Sequence, residues 1–484
     1  MFESLNNKYK YIDFFKDTLA TFGGINNREK TDNLKYIFRN NTKTENNKGA
    51  YFACINKNED PTGLYSDLSI VICPSNEKED VDDRWIISFG VGSQGFKDDY
   101  SIASLPGTRR LFINHIKDPK SFFKNDFLDI ESVDVYKSFL ARLEDEDKPD
   151  TLINSVGKYP RLLLIGTLFN PNNEDEAKNI ISKYLALYAK LRHWPSTKIT
   201  TKAVDDVLNK DQIQIVNDDE NKVRDLIKTR RYVVLQGAPG TGKTRLAKRI
   251  TAENDIVFFT QFHAETTYSD FIYGIVPDIE SGNLRYISRE GIFVEAIRTA
   301  QKAENKDKKV YLIIDEINRA NLSNVLGSCF YLFEPTMANS NVEIEICPGL
   351  KLNRLPDNLY VIATMNTADR SLAVVDFALR RRFAWYTLLP HTITPDENKY
   401  FCEDDFKRIA DIFELYASDE ELNLQPGHAY FIVKENNKEQ EIENRLRYEI
   451  MPLIKEYLLD GMLSRAKDDF VNYFRNRIGE EMFK

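Results

Sequence analysis

Long apolar runs are missing from this 484-residue sequence: no stretch approaches the roughly 18 consecutive apolar residues that a membrane-crossing helix needs. A secretory leader is not expected either, because Met1 opens onto Phe2, Glu3 and Ser4 rather than a basic, apolar, small-residue pattern. Cysteine is scarce. The five residues Cys54, Cys73, Cys329, Cys347 and Cys402 are odd in number and never spaced as Cys-x-x-Cys, which argues against both a disulfide framework and a zinc site. Buried thiols in a reducing cytoplasm are the expectation. Surplus positive charge is absent as well: 66 Lys plus Arg face 75 Asp plus Glu, a formal charge of -9. Bulk electrostatic grip on nucleic acid is thereby excluded, and any such contact must be local. No fixed-period repeat and no low-complexity stretch is present.

What is present is enough chain for roughly three domains at about 150 residues each. Residues 1–195 mix short β-type runs (51–55, 67–73, 85–91, 162–169) with helical ones, an α+β pattern. From Asn173 to Arg192 the residues Ala177, Ile180, Ile181, Tyr184, Leu185, Tyr188 and Leu191 recur at helical spacing, and Trp194-Pro195-Ser196 ends the helix. A polar connector is expected over 196–211. Residues 212–390 alternate apolar strands with helical segments, as a parallel sheet covered on both faces requires, and 391–484 reads as mostly helical with a charged tail.

The most informative segment is Gly237-Ala238-Pro239-Gly240-Thr241-Gly242-Lys243-Thr244-Arg245, a G-x-x-x-x-G-K-[ST] motif placed directly after the apolar run 232–235. Leu246, Ala247 and Ile250 then keep a helical apolar face, which completes the strand, Gly-rich turn and helix of a P-loop. Glycines let the backbone curl so that its N–H groups point at polyphosphate oxygens, at the positive end of a helix. Lys243 is expected on the β and γ phosphates and the Thr244 hydroxyl on Mg²⁺. The plainer alternative is a chance match in a Gly-rich turn.

Further along, Val310-Tyr-Leu-Ile-Ile-Asp315-Glu316 is an apolar strand ending in two carboxylates. In a P-loop sheet the first sits beside the metal and the second can polarise a water for attack on the γ-phosphate. Asp315 is therefore expected to bind magnesium and Glu316 to act as base, although such a pair can also merely cap a helix. A third strand, 359–364, runs into Met365-Asn366-Thr367-Ala368-Asp369-Arg370-Ser371. If it inserts between the P-loop strand and the acidic strand, the Asn366 amide faces the γ-phosphate and holds the lytic water opposite Glu316. Three arginines, Arg380, Arg381 and Arg382, end a short helix; about 100° apart, one or two of them can project to a neighbour's nucleotide. Arg319 and Arg370 are the other candidates for that role.

These pieces together resemble the McrB family, the NTPase subunits of McrBC-type modified-cytosine restriction systems. The residues that carry the resemblance are Asp315-Glu-Ile-Asn-Arg-Ala-Asn321, Met365-Asn-Thr-Ala-Asp-Arg-Ser371 and Ala378-Leu-Arg-Arg-Arg-Phe383. Gln261-Phe-His263 with Tyr268, Asp270 and Phe271, Gly291-Ile-Phe293, Gly427-His-Ala-Tyr-Phe431 and Tyr448-Glu-Ile-Met-Pro-Leu453 add to it, so the similarity spans about 211–461. The resemblance implies an AAA+ α/β fold: a P-loop αβα sandwich with a C-terminal helical lid, here preceded by the α+β domain. It also implies GTP or ATP with Mg²⁺ as ligands, and a ring, commonly hexameric. A separate McrC-like nuclease is implied as partner in cytoplasmic restriction or antiviral defence. Asp369 and Arg370 would brace the site and the ring interface, while Arg319, Arg381 and Arg382 would act in trans. Two departures stand out: no Asn-Lys-x-Asp guanine motif occurs, and Ala429 stands where related sequences usually have Ser.

By the same resemblance the N-terminal domain reads DNA. Basic residues cluster at Arg28, Lys30, Lys35, Arg39, Lys43 and Lys48 and again at Arg109, Arg110, Lys117, Lys120 and Lys124. Trp85, Phe96 or Tyr100 are candidates to cup an extruded base. Solvated basic faces and core aromatics are the competing reading. Glu146-Asp-Lys148 has the Glu-x-Lys spacing of a nuclease, but such triplets recur by chance, as at Glu304-Asn-Lys306. A protein-remodelling AAA+ chaperone of the MoxR or dynein-related kind is the rival function.

Overall fold

The computed structural model describes residues 2–25, 34–41, 51–57, 68–74, 84–92, 102–116, 118–127, 129, 131–143, 152, 156–157, 159–209, 218–251, 255–278, 285–334, 343–368 and 377–483. The chain divides into two compact units, residues 1–214 with 414–416, and residues 215–413 with 417–484.

The first unit is built on a six-stranded antiparallel sheet of β1 (Tyr36–Asn41), β2 (Tyr51–Asn56), β3 (Ser69–Cys73), β4 (Trp85–Gly90), β5 (Ser121–Phe123) and β6 (Leu163–Phe169), in the order β1-β2-β3-β4-β6-β5. Strand side chains alternate between faces, and here both faces are apolar. Phe52, Cys54, Ile70, Ile72, Trp85, Ile87 and Phe89 join the core with Tyr11, Phe15, Phe112, Tyr184 and Tyr188 of three helices. Ala53, Val71, Cys73 and Ile86 face the other way, onto Val135 and Phe139 of the helix Asp134–Leu143. Covering both faces explains why these strands read as continuous apolar runs rather than as alternating ones. The helix expected over 173–192 is Glu174–Leu191, with Asn173 accepting from the Glu176 amide at its start and three acidic residues in its first turn.

The expected connector over 196–211 is corrected by the structure. It carries a helix, Lys198–Leu208, opened by a reciprocal cap between Thr197 and Thr200, with Val204 and Leu208 buried in the first unit's core. Two apolar anchors one turn apart on an otherwise polar segment are enough to dock a helix, but too few to give a visible stripe.

In the second unit β7 (Tyr232–Gly237), β8 (Ile256–Gln261), β11 (Val310–Asp315), β14 (Leu359–Asn366) and β15 (Ala384–Thr387) form a parallel sheet in the order β15-β7-β14-β11-β8. Strand β14 does insert between the P-loop strand and the acidic strand. Helices on both faces bury the sheet, among them Asp219–Arg230 through Val223 and Ile227, Lys243–Ile250 through Leu246, Ala247 and Ile250, and Ile292–Gln301 through Phe293 and Ile297. Beyond the expected strands the unit has the edge strand β15, two hairpins, β9 (Tyr273–Asp278) with β10 (Arg285–Glu290) and β12 (Ile344–Cys347) with β13 (Leu350–Leu352), and a non-local antiparallel pair, β16 (Lys399–Phe401) with β17 (Ile432–Lys434).

Beyond Pro390 the helices Glu403–Tyr416, Lys438–Arg445, Met451–Leu459 and Lys467–Ile478 make a lid. Its interior includes the buried residues Phe406, Phe413, Phe431, Ile442, Ile450, Ile454, Phe470 and Phe474. One carboxylate is buried there: Asp405 accepts from Tyr473 at 2.8 Å and from Arg477 at 2.9 and 3.2 Å. All five cysteines are buried thiols outside any disulfide. Among the described residues no helix is long and apolar enough to cross a membrane.

Candidate functional site

The site forms at the C-terminal edge of the parallel sheet, where β7, β11 and β14 end side by side. After β7 the chain turns through Gly240 and Gly242 at φ of +80° and +81°, a left-handed conformation that glycine adopts without the Cβ clash other residues meet. Thr241 is buried and donates to the Ala238 carbonyl at 2.9 Å. The Lys243 ammonium, also buried, is held over the loop by the carbonyls of Gly237 and Ala238 at 2.9 and 2.8 Å. The following residue, Thr244, donates its hydroxyl to Asp315 Oδ1 at 2.7 Å. The helix that starts at Lys243 aims its free N–H groups into the same loop. Arg245, expected with the phosphate-binding residues, sends its side chain away to Asp396 of the lid at 2.9 Å.

Asp315 and Glu316 leave β11 in different environments. Asp315 Oδ1 accepts from two threonines, Thr244 and, at 2.5 Å, Thr364 of β14. Glu316 sits at φ 57° and ψ 46°. For a residue with a Cβ that backbone costs on the order of 1–2 kcal/mol, the kind of strain that clusters at functional sites. Its amide donates to Thr364 Oγ1 at 3.1 Å, and its carboxylate Oε1 accepts from the Asn366 amide at 2.6 Å. Arg319 lies 3.5 Å from Oε2 of the same carboxylate. Asn366 is pinned in turn: its position in β14 pairs with Gly237 of β7, and its carbonyl accepts from Asn318 at 3.3 Å. The structure therefore brings Lys243, Thr244, Asp315, Glu316 and Asn366 onto one edge, through neighbouring strands.

Sequence reasoning assigned no contact in this constellation to two residues and one segment. Thr364 links the two carboxylate residues, Asn318 steadies β14, and the lid segment Gly427–Tyr430 lies against the loop. The only prior signal for Thr364 was its place at the polar end of a strand. The loop contacts of Gly427–Tyr430 are close: the Gly427 and Ala429 amides donate to the carbonyls of Pro239 and Gly240 at 2.9 and 3.0 Å. His428 is buried beside them, its ring 4.7 Å from that of His391.

The arginines separate. Arg382 is corrected from trans-acting candidate to internal support: it is buried, 3.0 Å from Glu334, with its guanidinium 4.3 Å over the Phe330 ring. An arginine held this way does not project to a neighbour. Arg381 keeps an exposed side chain 3.4 Å from Glu334, and Arg380 covers Trp385. Arg319 contacts Glu316 of its own chain. Asp369 and Arg370 lie outside the described residues.

A magnesium ion fits what is present. It is a hard cation that takes one or two protein oxygens plus phosphates and water, and the Thr244 hydroxyl with the Asp315 carboxylate supplies that set. Among the described residues there is no cluster of three or more His, Cys, Asp or Glu that could hold a metal by itself.

Comparison with known proteins agrees with this geometry. The family described as AAA domain (dynein-related subfamily) matches residues 232–383, from the first residue of β7 to Phe383, the residue after the arginine helix. The Type IV methyl-directed restriction enzyme EcoKMcrB subunit of Escherichia coli is 30% identical over 316 residues, covering 60% of this chain and 67% of that protein. The chain belongs to the McrB family of AAA+ NTPases. A second relative of this McrB-family chain is the Type II restriction enzyme BsuMI component YdiS of Bacillus subtilis, 31% identical over 194 residues, 32% of this chain and 56% of the relative. A more distant one is the pachytene checkpoint protein 2 homolog of Sus scrofa, 26% identical over 54% of this chain and 60% of that protein. The chain is thus a P-loop nucleoside triphosphatase that uses a nucleotide with Mg²⁺, on an αβα AAA+ fold with a helical lid and a preceding α+β unit.

The DNA-binding candidates of the first unit fare differently. Trp85 is a core residue, edge-on to Tyr11, Phe52 and Phe169, and does not face a base. Lys124 is fully buried, its ammonium on the Arg161 carbonyl, and burial pushes its pKa down. Lys120 pairs with Glu176, Lys35 donates to the Trp194 carbonyl and Arg109 to the Lys124 carbonyl. Arg28, Lys30, Lys43, Lys48, Lys117, Phe96, Tyr100 and the 146–148 triplet lie outside the described residues.

Proposed function

We propose that this chain is the motor subunit of a DNA-directed restriction assembly. It hydrolyses GTP or ATP in a ring of identical subunits, engages DNA through its N-terminal unit, and drives a separate McrC-like nuclease. The observation that carries the motor reading is the Glu316–Asn366 contact, made at the same sheet edge as the Lys243 loop. That the restriction-enzyme relatives are named a subunit and a component supports a nuclease on another chain.

In this reading the amides of 240–244 and the Lys243 ammonium bind the β and γ phosphates, and Thr244 and Asp315 hold the metal. Bound Mg²⁺ supplies charge neutralisation on the phosphate oxygens. Glu316 Oε1 takes the proton of the attacking water. Asn366 and Arg319 fix the angle of that carboxylate, and Thr364 keeps Asp315 and Glu316 in register with each other. Asn366 is then the positioning residue for the base, and its amide reports on the γ-phosphate when it shifts between the two. Arg381, an exposed residue of its helix, and Arg370 are the groups offered to a neighbouring subunit.

The protein-remodelling alternative has its own support in the dynein-related family match and the checkpoint-protein similarity. One experiment separates the two. Hydrolysis of GTP and of ATP is measured with purified protein, alone, with methylated and unmethylated DNA, with a McrC-like chain, and with an unfolded protein client. Stimulation by the nuclease chain and DNA is expected. Stimulation by the client alone would overturn the restriction reading.

A further inference from the structure

The phosphate loop is not left to itself. Its outer side is in contact with the turn Gly427–Tyr430 of the lid at every residue from Pro239 to Gly242. The Gly427 amide donates to the Pro239 carbonyl at 2.9 Å and the Ala429 amide to the Gly240 carbonyl at 3.0 Å. Gly427 has an ordinary φ of -68°, so its backbone would accept any residue. Space forbids it: a Cβ there would stand 2.1 Å from the Gly240 carbonyl carbon, 2.3 Å from its oxygen and 2.4 Å from the Thr241 nitrogen. Gly427 therefore lies flat on the peptide plane between Gly240 and Thr241. On either side the Tyr430 ring covers Gly240, 2.9 Å from where a Cβ would be, and the His428 imidazole covers Gly242 at 3.5 Å. A second tie runs from the lid to the end of β14, where Thr367 donates to the Asn423 carbonyl at 2.8 Å and its amide to the Gly237 carbonyl at 3.1 Å.

The direction of those two lid bonds matters. A trans peptide is planar, with its N–H opposite its C=O. Holding the Pro239 and Gly240 carbonyls on the lid side therefore aims the Gly240 and Thr241 amides to the opposite side, inward to the anion-binding concavity. Glycine at 240 and 242 makes those planes free to rotate, so something must fix them. We propose that the Gly427–Tyr430 turn is a strap that sets the phosphate loop in its anion-binding shape, making Gly427 and Tyr430 positioning residues for the nucleotide. The lid then governs affinity through the loop's backbone as well as through any direct contact with ligand. This inference rests on the nucleotide-binding reading of the loop and goes beyond it.

The test is titration of the full chain with a fluorescent, non-hydrolysable GTP or ATP analogue, together with steady-state kinetics. Gly427→Ala is expected to raise Kd and KM roughly tenfold or more while kcat stays within about threefold, the signature of lost binding rather than lost chemistry. Tyr430→Ala is expected to give a smaller rise and Tyr430→Phe to restore wild-type affinity, since the ring and not the hydroxyl covers Gly240. Should Gly427→Ala fail to fold, the Tyr430 pair and amide exchange in the unmodified chain decide. The Gly427 and Ala429 amides are expected to exchange slowly, and exchange at the rate of an open loop overturns the strap. Wild-type affinity in a folded Gly427→Ala chain also overturns it. A wild-type chain that binds no nucleotide sinks the nucleotide reading instead, so the two failures are told apart.

Discussion

In the second unit β7, β11 and β14 run the same way, so the residues that follow them all emerge at one edge of the sheet; in the first unit neighbouring strands run in opposite directions, and consecutive strand ends alternate between edges. Parallel order is what lets Lys243, Asp315, Glu316 and Asn366 converge from positions more than a hundred residues apart in the chain. The antiparallel sheet offers no such focus. Its polar candidates are absorbed singly: Lys124 by a carbonyl, Lys120 by Glu176, Trp85 by the core. A motif in an α/β unit is thus read with its strand ends already aligned, whereas scattered basic residues in an antiparallel unit carry no such geometry.

The comparison is broken most directly by Lys243→Ala. Removing the ammonium leaves the loop's carbonyls without their cation and the phosphates without their charge partner. Nucleotide binding is expected to be lost in fluorescence titration, with the first unit's thermal unfolding unchanged. If the variant binds as the wild type does, convergence at the sheet edge has been misjudged. Next in size is Glu316→Gln. The amide keeps the shape but cannot take a proton, so turnover is expected to fall by about a thousandfold, within the usual range for a general base, while affinity and assembly persist. Equal loss of binding in both variants would contradict the division of labour between them.

How much of this was legible beforehand follows the same division. The P-loop and the acidic strand are local patterns, and the positions of the apolar runs were compatible with β14 lying between them, the condition under which Asn366 faces the γ-phosphate opposite Glu316; the sheet order meets it. The contacts of Thr364, Asn318 and Gly427 were not legible. Each acts by a tertiary contact, a hydroxyl or amide reaching across from another strand, from the turn after β11 or from the lid, and their chain neighbours give no hint of it. Arg382 failed in the opposite way. Its run of arginines suggested a projecting end, but the Phe330 face and Glu334 that bury it lie some fifty residues upstream. The helix Lys198–Leu208 was missed because two buried residues do not make a periodicity.

Two effects read mainly in stability sharpen the contrast. Thr364→Val removes the hydroxyl that accepts from the Glu316 amide and donates to Asp315. A loss of about 1–3 kcal/mol in unfolding free energy is expected for the orphaned groups, with turnover falling more than tenfold. Trp85→Ala should cost about 3–5 kcal/mol in the first unit through the cavity it leaves, with hydrolysis in the second unit unaffected. Unaltered stability would mean that Trp85 is available for a base after all.

The last expected effect concerns His428, the buried imidazole of the lid turn. Burial, reinforced by His391 and Arg245 and opposed only by Asp219, pushes its pKa from 6.5 down to about 4. Between those two values the unfolded chain holds a proton on this residue that the folded chain excludes. Stability therefore rises with pH across that window and falls as pH drops from 6.5 towards 4. From pH 7 to pH 5 the cost works out at about 2 kcal/mol for a single group shifted this far. His428→Gln removes the titration while keeping a polar side chain of similar reach, and every other titrating group is common to both proteins. The difference between wild type and variant in denaturant unfolding should therefore change by that amount between the two pH values, wild type being the one that loses more. Parallel pH profiles would mean that the imidazole is solvated in solution and that the lid does not rest on the phosphate loop as closely as Gly427 and Gly240 do here.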